Sequence, residues 1–134
     1  PKSVPLKVEV LASANRDFSQ SERRVVTVHL RQTWRAAPFL NPKLAEYPGG
    51  DMMFRLRRVD SQNPDSKERV HFASGVASLK VAHLGDGELD NFADQSKDPP
   101  KLLRDRQVPI ESGHVYLTYH SHWKHWTLAR VTIE

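Results

Sequence analysis

The residues best suited to chemistry gather near the end of the 134-residue chain, in the run Gly113-His114-Val115-Tyr116-Leu117-Thr118-Tyr119-His120-Ser121-His122-Trp123-Lys124-His125-Trp126. On a strand, residues two apart share a face at about 6–7 Å, so His120 and His122 could aim two imidazoles at one metal ion. His125 could close on the same ion from a turn. The competing reading is a hairpin tip from Ser121 to His125, flanked by amphipathic aromatics, which needs no ligand. That reading is the expectation, so no metal is assigned; His120, His122 and His125 are the alternative set. No acid or base accompanies them in the way that metal-assisted hydrolysis requires. The chain contains no cysteine, which excludes disulfides, thiolate nucleophiles and thiolate zinc sites.

The other chemical signals are weaker. Gly113 and the His-x-His pair resemble the first half of the cupin motif. Their spacing is one residue too long, no glutamate follows, and the 12 residues after His122 leave no room for a second motif. Asp86 to Asp94 (DGELDNFAD) offers oxygen ligands but lacks the central glycine and closing glutamate of an EF-hand loop; it reads as a solvated acidic loop. Arg55, Arg57 and Arg58, with Arg23, Arg24, Arg31 and Arg35, form a candidate basic stripe. Charges alternating along a strand are equally what a wet sheet face requires, and no nucleic-acid module signature accompanies them. Trp34, Trp123 and Trp126 are flat rings of the kind on which a sugar can stack; Trp126 is expected in the core and Trp34 at a strand end, which leaves Trp123, at a turn, as the candidate. The serines lack a Gly-x-Ser-x-Gly context, and no carboxylate pair is distinctively placed. The expectation is a chain without enzymatic activity or cofactor.

Elements with a period of two must position these residues. Leu6, Val8 and Val10 alternate with Lys7 and Glu9, the mark of a strand with one buried face. Val26, Val28 and Leu30 repeat the pattern, and so do Phe54 and Leu56. Val70 and Phe72 open a stretch that breaks near Gly75 and resumes with Ala77, Leu79 and Val81. Val115, Leu117 and Tyr119 follow, and the last strand sets Ala129, Val131 and Ile133 opposite Leu128 and Trp126. The one helical signal runs from Asn41 to Tyr47, where Asn41 caps and Pro42 suits the first helical position.

Strands without alternating helices predict an all-β fold. The expected architecture is a single antiparallel β-sandwich domain over residues 1–134, with about six to eight strands and one short helix in a loop. A chain of this length buries roughly two-thirds of its unfolded surface, enough for a core without staples. The composition agrees: 38% hydrophobic, 27% charged, a mean hydropathy of -0.61 and a net charge of +4. That charge is too small to announce a nucleic-acid partner, and no run approaches the roughly 18 apolar residues of a membrane helix. The longest connection, Gly85 to Arg106, is of the length that marks a working or a mobile loop.

The first forty residues carry a family resemblance. Pro5-Leu6-Lys7-Val8-Glu9-Val10-Leu11-Ala12-Ser13-Ala14-Asn15 is similar to the first mature strand of the small outer-membrane lipoproteins of bacterial secretion systems. In the type VI member an apolar strand enters an Ala-Ser turn ending in asparagine. A loop matching Ser19 to Glu22 follows, then a strand matching Val26-Thr27-Val28-His29-Leu30-Arg31-Gln32, then Phe39. The stretch from Val115 to Val131, with a tryptophan opening the last strand, fits that family's close. Its Leu-Gly-x-Asp and Glu-x-x-Leu-x-Pro-Gly segments have no counterpart here, so the likeness covers roughly a third of the chain. The β-sandwich pilotins of type III secretion, which help a secretin reach the outer membrane, fit size and class equally.

The resemblance implies a non-enzymatic accessory or assembly domain at the periplasmic face of the outer membrane. An upstream lipidated cysteine would anchor it, and its partner would be a membrane-complex protein or a secretin, with no nucleic acid. In the type VI family the loop after the first strand carries partner contacts, which places them here at Asn15, Arg16, Asp17, Phe18, Ser19 and Gln20. Phe18, apolar in a polar loop, needs either a core pocket or a partner. The alternative reading is a periplasmic or extracellular carbohydrate- or metal-binding β-sandwich module.

Overall fold

A computed structural model describes residues 4–13, 15–16, 18–30, 35–37, 52–58, 60, 62–73, 79–93, 107–120 and 124–134. The period-two segments become strands, and they pair into two antiparallel sheets. The first sheet has the order β2 (Ser21–Leu30), β1 (Val4–Ser13), β9 (His125–Ile133), β8 (His114–His120), β6 (Leu79–Asp86). The second has the order β3 (Arg35–Ala37), β4 (Met52–Arg58), β5 (Glu68–Ala73), β7 (Gln107–Pro109). Seven of these strands are six residues or longer, while β3 and β7 have three residues each, too few for alternation to reveal.

The expected all-β sandwich is therefore what the chain forms. Leu6, Val8 and Val10 of β1, Val28 and Leu30 of β2, and Ala129 and Val131 of β9 line the inner face of the five-stranded sheet. They meet Phe54 of β4 and Val70 of β5, and Ile110 and Tyr116 join the same buried cluster. Removing this apolar surface from water is the dominant favourable term for such a fold. The β1–β2 hairpin keeps one register from Val4↔Leu30 to Ser13↔Ser21, so Val8 and Val10 stay on the core face throughout.

The outer face of the same sheet is covered as well. Leu11, Ala82, Val115, Leu117 and Leu128 point outward, where Leu89 of a short helix α1 (Leu89–Ala93) and Phe18 of the β1–β2 turn cap them. This second cover explains why β1 is buried without interruption from Val10 to Ser13: both faces are needed there, and alternation dissolves. The acidic segment expected to be a solvated loop instead contributes α1. Its Leu89, Phe92 and Ala93 follow helical i, i+3, i+4 spacing and face the sheet. The helix expected over Asn41 to Tyr47 lies outside the described residues. At the free edge of the five-stranded sheet, Ser21 to Val25 of β2 are all exposed, Val25 at 58%.

Candidate functional site

The β1–β2 turn is held from within. The Asn15 amide donates to Ser13 Oγ at 3.0 Å, and the Phe18 amide donates to the Asn15 carbonyl at 3.0 Å. Asn15 Nδ2 reaches Ser19 Oγ at 3.4 Å. Phe18 adopts a φ of 55°, a left-handed conformation that is uncommon for a bulky residue. That conformation turns its ring into the outer core, where it is 6% exposed. Of the two environments Phe18 could take, it takes the core pocket. Asn15, Ser19 and Gln20 remain exposed, and Asp17 lies outside the described residues.

Arg16 is the unusual member of the turn. Its guanidinium carbon lies 5.4 Å from the centre of the Trp126 ring, within cation–π range. All three guanidinium nitrogens are shielded from solvent, and none has a hydrogen-bond partner among the described residues. Burial accordingly pulls its pKa below the ordinary arginine value. Trp126 is thus covered by Arg16, and Tyr119 packs on it with ring centroids 4.2 Å apart. Both contacts occupy part of an indole that is otherwise half-buried.

The expected histidine set is only partly visible. His125 opens β9 opposite His120 and is half-buried. The side chain of His120 and residues 121–123, which include His122 and Trp123, lie outside the described residues, as does Trp34. Two arginines engage the acids that precede and open α1. Arg23 of the expected stripe forms an ion pair with Asp90, and Arg130 lies between Glu9 at 3.7 Å and Glu88 at 3.5 Å. Acids of the segment with calcium-like composition are therefore matched by arginines from β2 and β9. The side chains of Arg31, Arg35, Arg55 and Arg57 lie outside the described residues.

A different cluster forms where β6, β8 and the β7–β8 turn meet. His83 stands opposite Tyr116, and the register slips by one residue between His83 and Gly85, leaving Leu84 as a bulge. A bulge of this kind raises the local twist and re-aims neighbouring side chains. His83 Nε2 lies 2.7 Å from His114 Nδ1, and Glu111 Oε2 lies 3.2 Å from that same nitrogen. The His83 ring stacks on Tyr116 with centroids 4.9 Å apart and planes at 16°. Tyr116 is 1% exposed, and its hydroxyl accepts the Glu111 amide at 2.9 Å while donating to the Pro109 carbonyl at 3.2 Å. Among the described residues, this is the one group of three imidazole and carboxylate side chains whose ligand atoms all lie within 4.8 Å of one another. Sequence spacing could show only the Glu111–His114 pair, three residues apart; His83 reaches it through strand pairing beside a bulge.

No family model, curated protein or solved structure matches this chain.

Proposed function

We propose that this chain is a non-enzymatic accessory domain of the secretion-lipoprotein kind. In this reading it docks on a membrane-complex protein or a secretin at the periplasmic face of the outer membrane, and the β1–β2 turn makes the contact. The sequence likeness of the first forty residues motivates the assignment. The supporting observation is Arg16, a shielded guanidinium without an acceptor among the described residues, in the very turn to which the likeness assigns partner contacts.

A partly buried cation carries a desolvation cost, against which a cation–π contact contributes about 0.5–2 kcal/mol. The difference is relieved when Arg16 exchanges the indole for a partner's carboxylate, which a guanidinium grips with two parallel hydrogen bonds. The anchored Phe18 holds the backbone of the turn in place, so little ordering cost accompanies that exchange. Exposed Asn15, Ser19 and Gln20 flank Arg16 with neutral donors and acceptors.

The test is recovery of partners from envelope membranes, with identification by mass spectrometry. The wild-type chain is expected to retain a secretion-system membrane protein. Arg16→Met, verified as folded by circular dichroism, is expected to lower its affinity roughly 10- to 100-fold, the worth of a charge-assisted hydrogen bond. Equal retention by the variant, or the absence of any secretion component from the wild-type sample, would sink the reading.

A further inference from the structure

The geometry points to a divalent-metal site formed by His83, Glu111 and His114, suited to zinc or a similar borderline cation and independent of the docking turn. Three lone-pair atoms converge there: His83 Nε2, His114 Nδ1 and a Glu111 carboxylate oxygen. The His114 nitrogen faces both of the others at hydrogen-bond distance. A neutral imidazole cannot satisfy both well. If His114 Nδ1 carries the proton, one N–H is divided between two acceptors. If it does not, its lone pair faces the carboxylate directly. A cation at the centre resolves this, because all three atoms then act as ligands.

Two of the three separations suit that outcome after a small adjustment, and the third lies within 4.8 Å. Two ligand atoms each about 2.0–2.1 Å from a tetrahedral zinc ion lie about 3.3 Å apart. The Glu111–His114 separation of 3.2 Å already matches this. The His83–His114 separation of 2.7 Å needs to open by a few tenths of an ångström, a small rotation for the exposed His83 ring. Two imidazoles and one carboxylate favour borderline cations, whereas magnesium and calcium prefer sites built from oxygen alone. Three protein ligands leave the fourth position for water.

The surroundings are built rather than incidental. Tyr116, itself in the core, orients two of the three ligands: its ring stacks on His83 and its hydroxyl fixes the Glu111 backbone. The second Glu111 oxygen lies 3.5 Å from an Arg69 nitrogen, which restrains the carboxylate from behind. Supporting contacts of this type orient metal ligands and tune affinity. The ligands lie where the chain passes from one sheet to the other. His83 and His114 belong to the five-stranded sheet, and Glu111 follows β7 of the four-stranded one. A bound ion would tie the β7–β8 turn to the β6–β8 pair, as a structural staple.

The experiment is isothermal titration of zinc into the tag-free chain after chelation and desalting, with histidine ring signals followed by NMR. The expected result is saturable one-to-one binding that magnesium does not compete away. The ring protons of His83 and His114 shift, while those of His29 on β2 do not. Binding is lost in His83→Ala and in His114→Ala, weakens about tenfold in Glu111→Gln, and is unchanged in His29→Ala and His122→Ala. Absence of saturable binding by the wild type overturns the proposal. So does stoichiometric binding by the His83→Ala/His114→Ala double variant, or loss of binding in His122→Ala. The NMR shifts are read on the wild type, so a variant that fails to fold leaves the question decidable.

Discussion

The Tyr116 hydroxyl accepts the backbone N–H of Glu111 at 2.9 Å, and this bond joins a core strand to the turn that feeds it. Because the same hydroxyl donates to the Pro109 carbonyl, one phenol closes the end of the sandwich where β7 passes into β8. The amide of Glu111 and the carbonyl of Pro109 would otherwise need water or another partner.

Tyr116→Phe therefore loses two hydrogen bonds while keeping the ring. We expect a loss of about 1 kcal/mol near neutral pH, or about 3–5 °C in Tm. Zinc affinity should fall about tenfold while the stoichiometry stays at one, which loss of stability alone would not produce. Burial raises the Tyr116 pKa above its ordinary value of about 10. Below that value the phenol is protonated in folded and unfolded chains alike, and its contribution is complete. Above it the unfolded chain ionises first, so stability drains away as pH rises toward the higher folded value. The gap between wild type and variant should narrow above about pH 10 in urea denaturation. A constant gap across that range would show that the phenol is not held neutral by the fold.

Phe18→Ala removes a ring from the outer core and should cost about 3 kcal/mol in urea denaturation. The backbone offers a sharper control. At a φ of 55° alanine retains the strain of a Cβ in left-handed space, which glycine does not. Phe18→Gly is therefore expected to be no less stable than Phe18→Ala, against the usual order of the two residues. A loss below about 1 kcal/mol in both variants would place the ring outside the core.

Arg16→Met keeps a long apolar stem and removes the charge. The cation–π attraction it gives up is worth about 0.5–2 kcal/mol, and the variant is relieved of the desolvation that lowers the Arg16 pKa. The isolated domain should thus be as stable as the wild type or more so, even as partner recovery falls. That opposition separates a docking residue from a structural one. A destabilisation above about 1 kcal/mol would show that the pairing with the indole outweighs the cost of burying the charge.

Much of the sandwich is readable from residue order, because a half-buried strand must alternate. Leu6, Val8 and Val10 mark the inner face of β1, and Ala129, Val131 and Ile133 that of β9, as the alternation predicts. The outer cover is hidden from the sequence for physical reasons. Five residues with Leu89, Phe92 and Ala93 complete little more than one helical turn, and the acids around them look like a wet loop until Arg23 and Arg130 are seen to meet them. Phe18 is visible as an anomaly, but its direction depends on a backbone angle that residue type does not dictate. Of the cluster of His83, Glu111 and His114, only the three-residue spacing of the last two is legible. His83 and His114 are brought together by strand pairing and by the bulge at Leu84, and neither is encoded in local spacing. The run that draws attention by its density of histidines, His120 to His125, is contiguous, whereas the cluster that closes among the described residues is not.

The entry to α1 supplies the last prediction. Gly87 has a φ of 151°, and a Cβ built there would stand 2.9 Å from Cε2 of Phe92 and 3.3 Å from its Cζ. Gly87→Ala must therefore strain the backbone and displace a ring that packs on the outer core. Gly85, two residues earlier, has a φ of 109° and nothing within 4 Å of an added Cβ, so Gly85→Ala carries the backbone cost alone. We expect about 1–3 kcal/mol from strain at either position, with a further loss at Gly87 as Phe92 lifts and Leu89 is left partly uncovered. Faster amide hydrogen exchange across α1, seen in Gly87→Ala but not in Gly85→Ala, would locate that loss in the outer core. Equal losses in the two variants would mean that Phe92 gives way freely, and the helix would then be a looser lid over Leu117 and Leu128 than its packing implies.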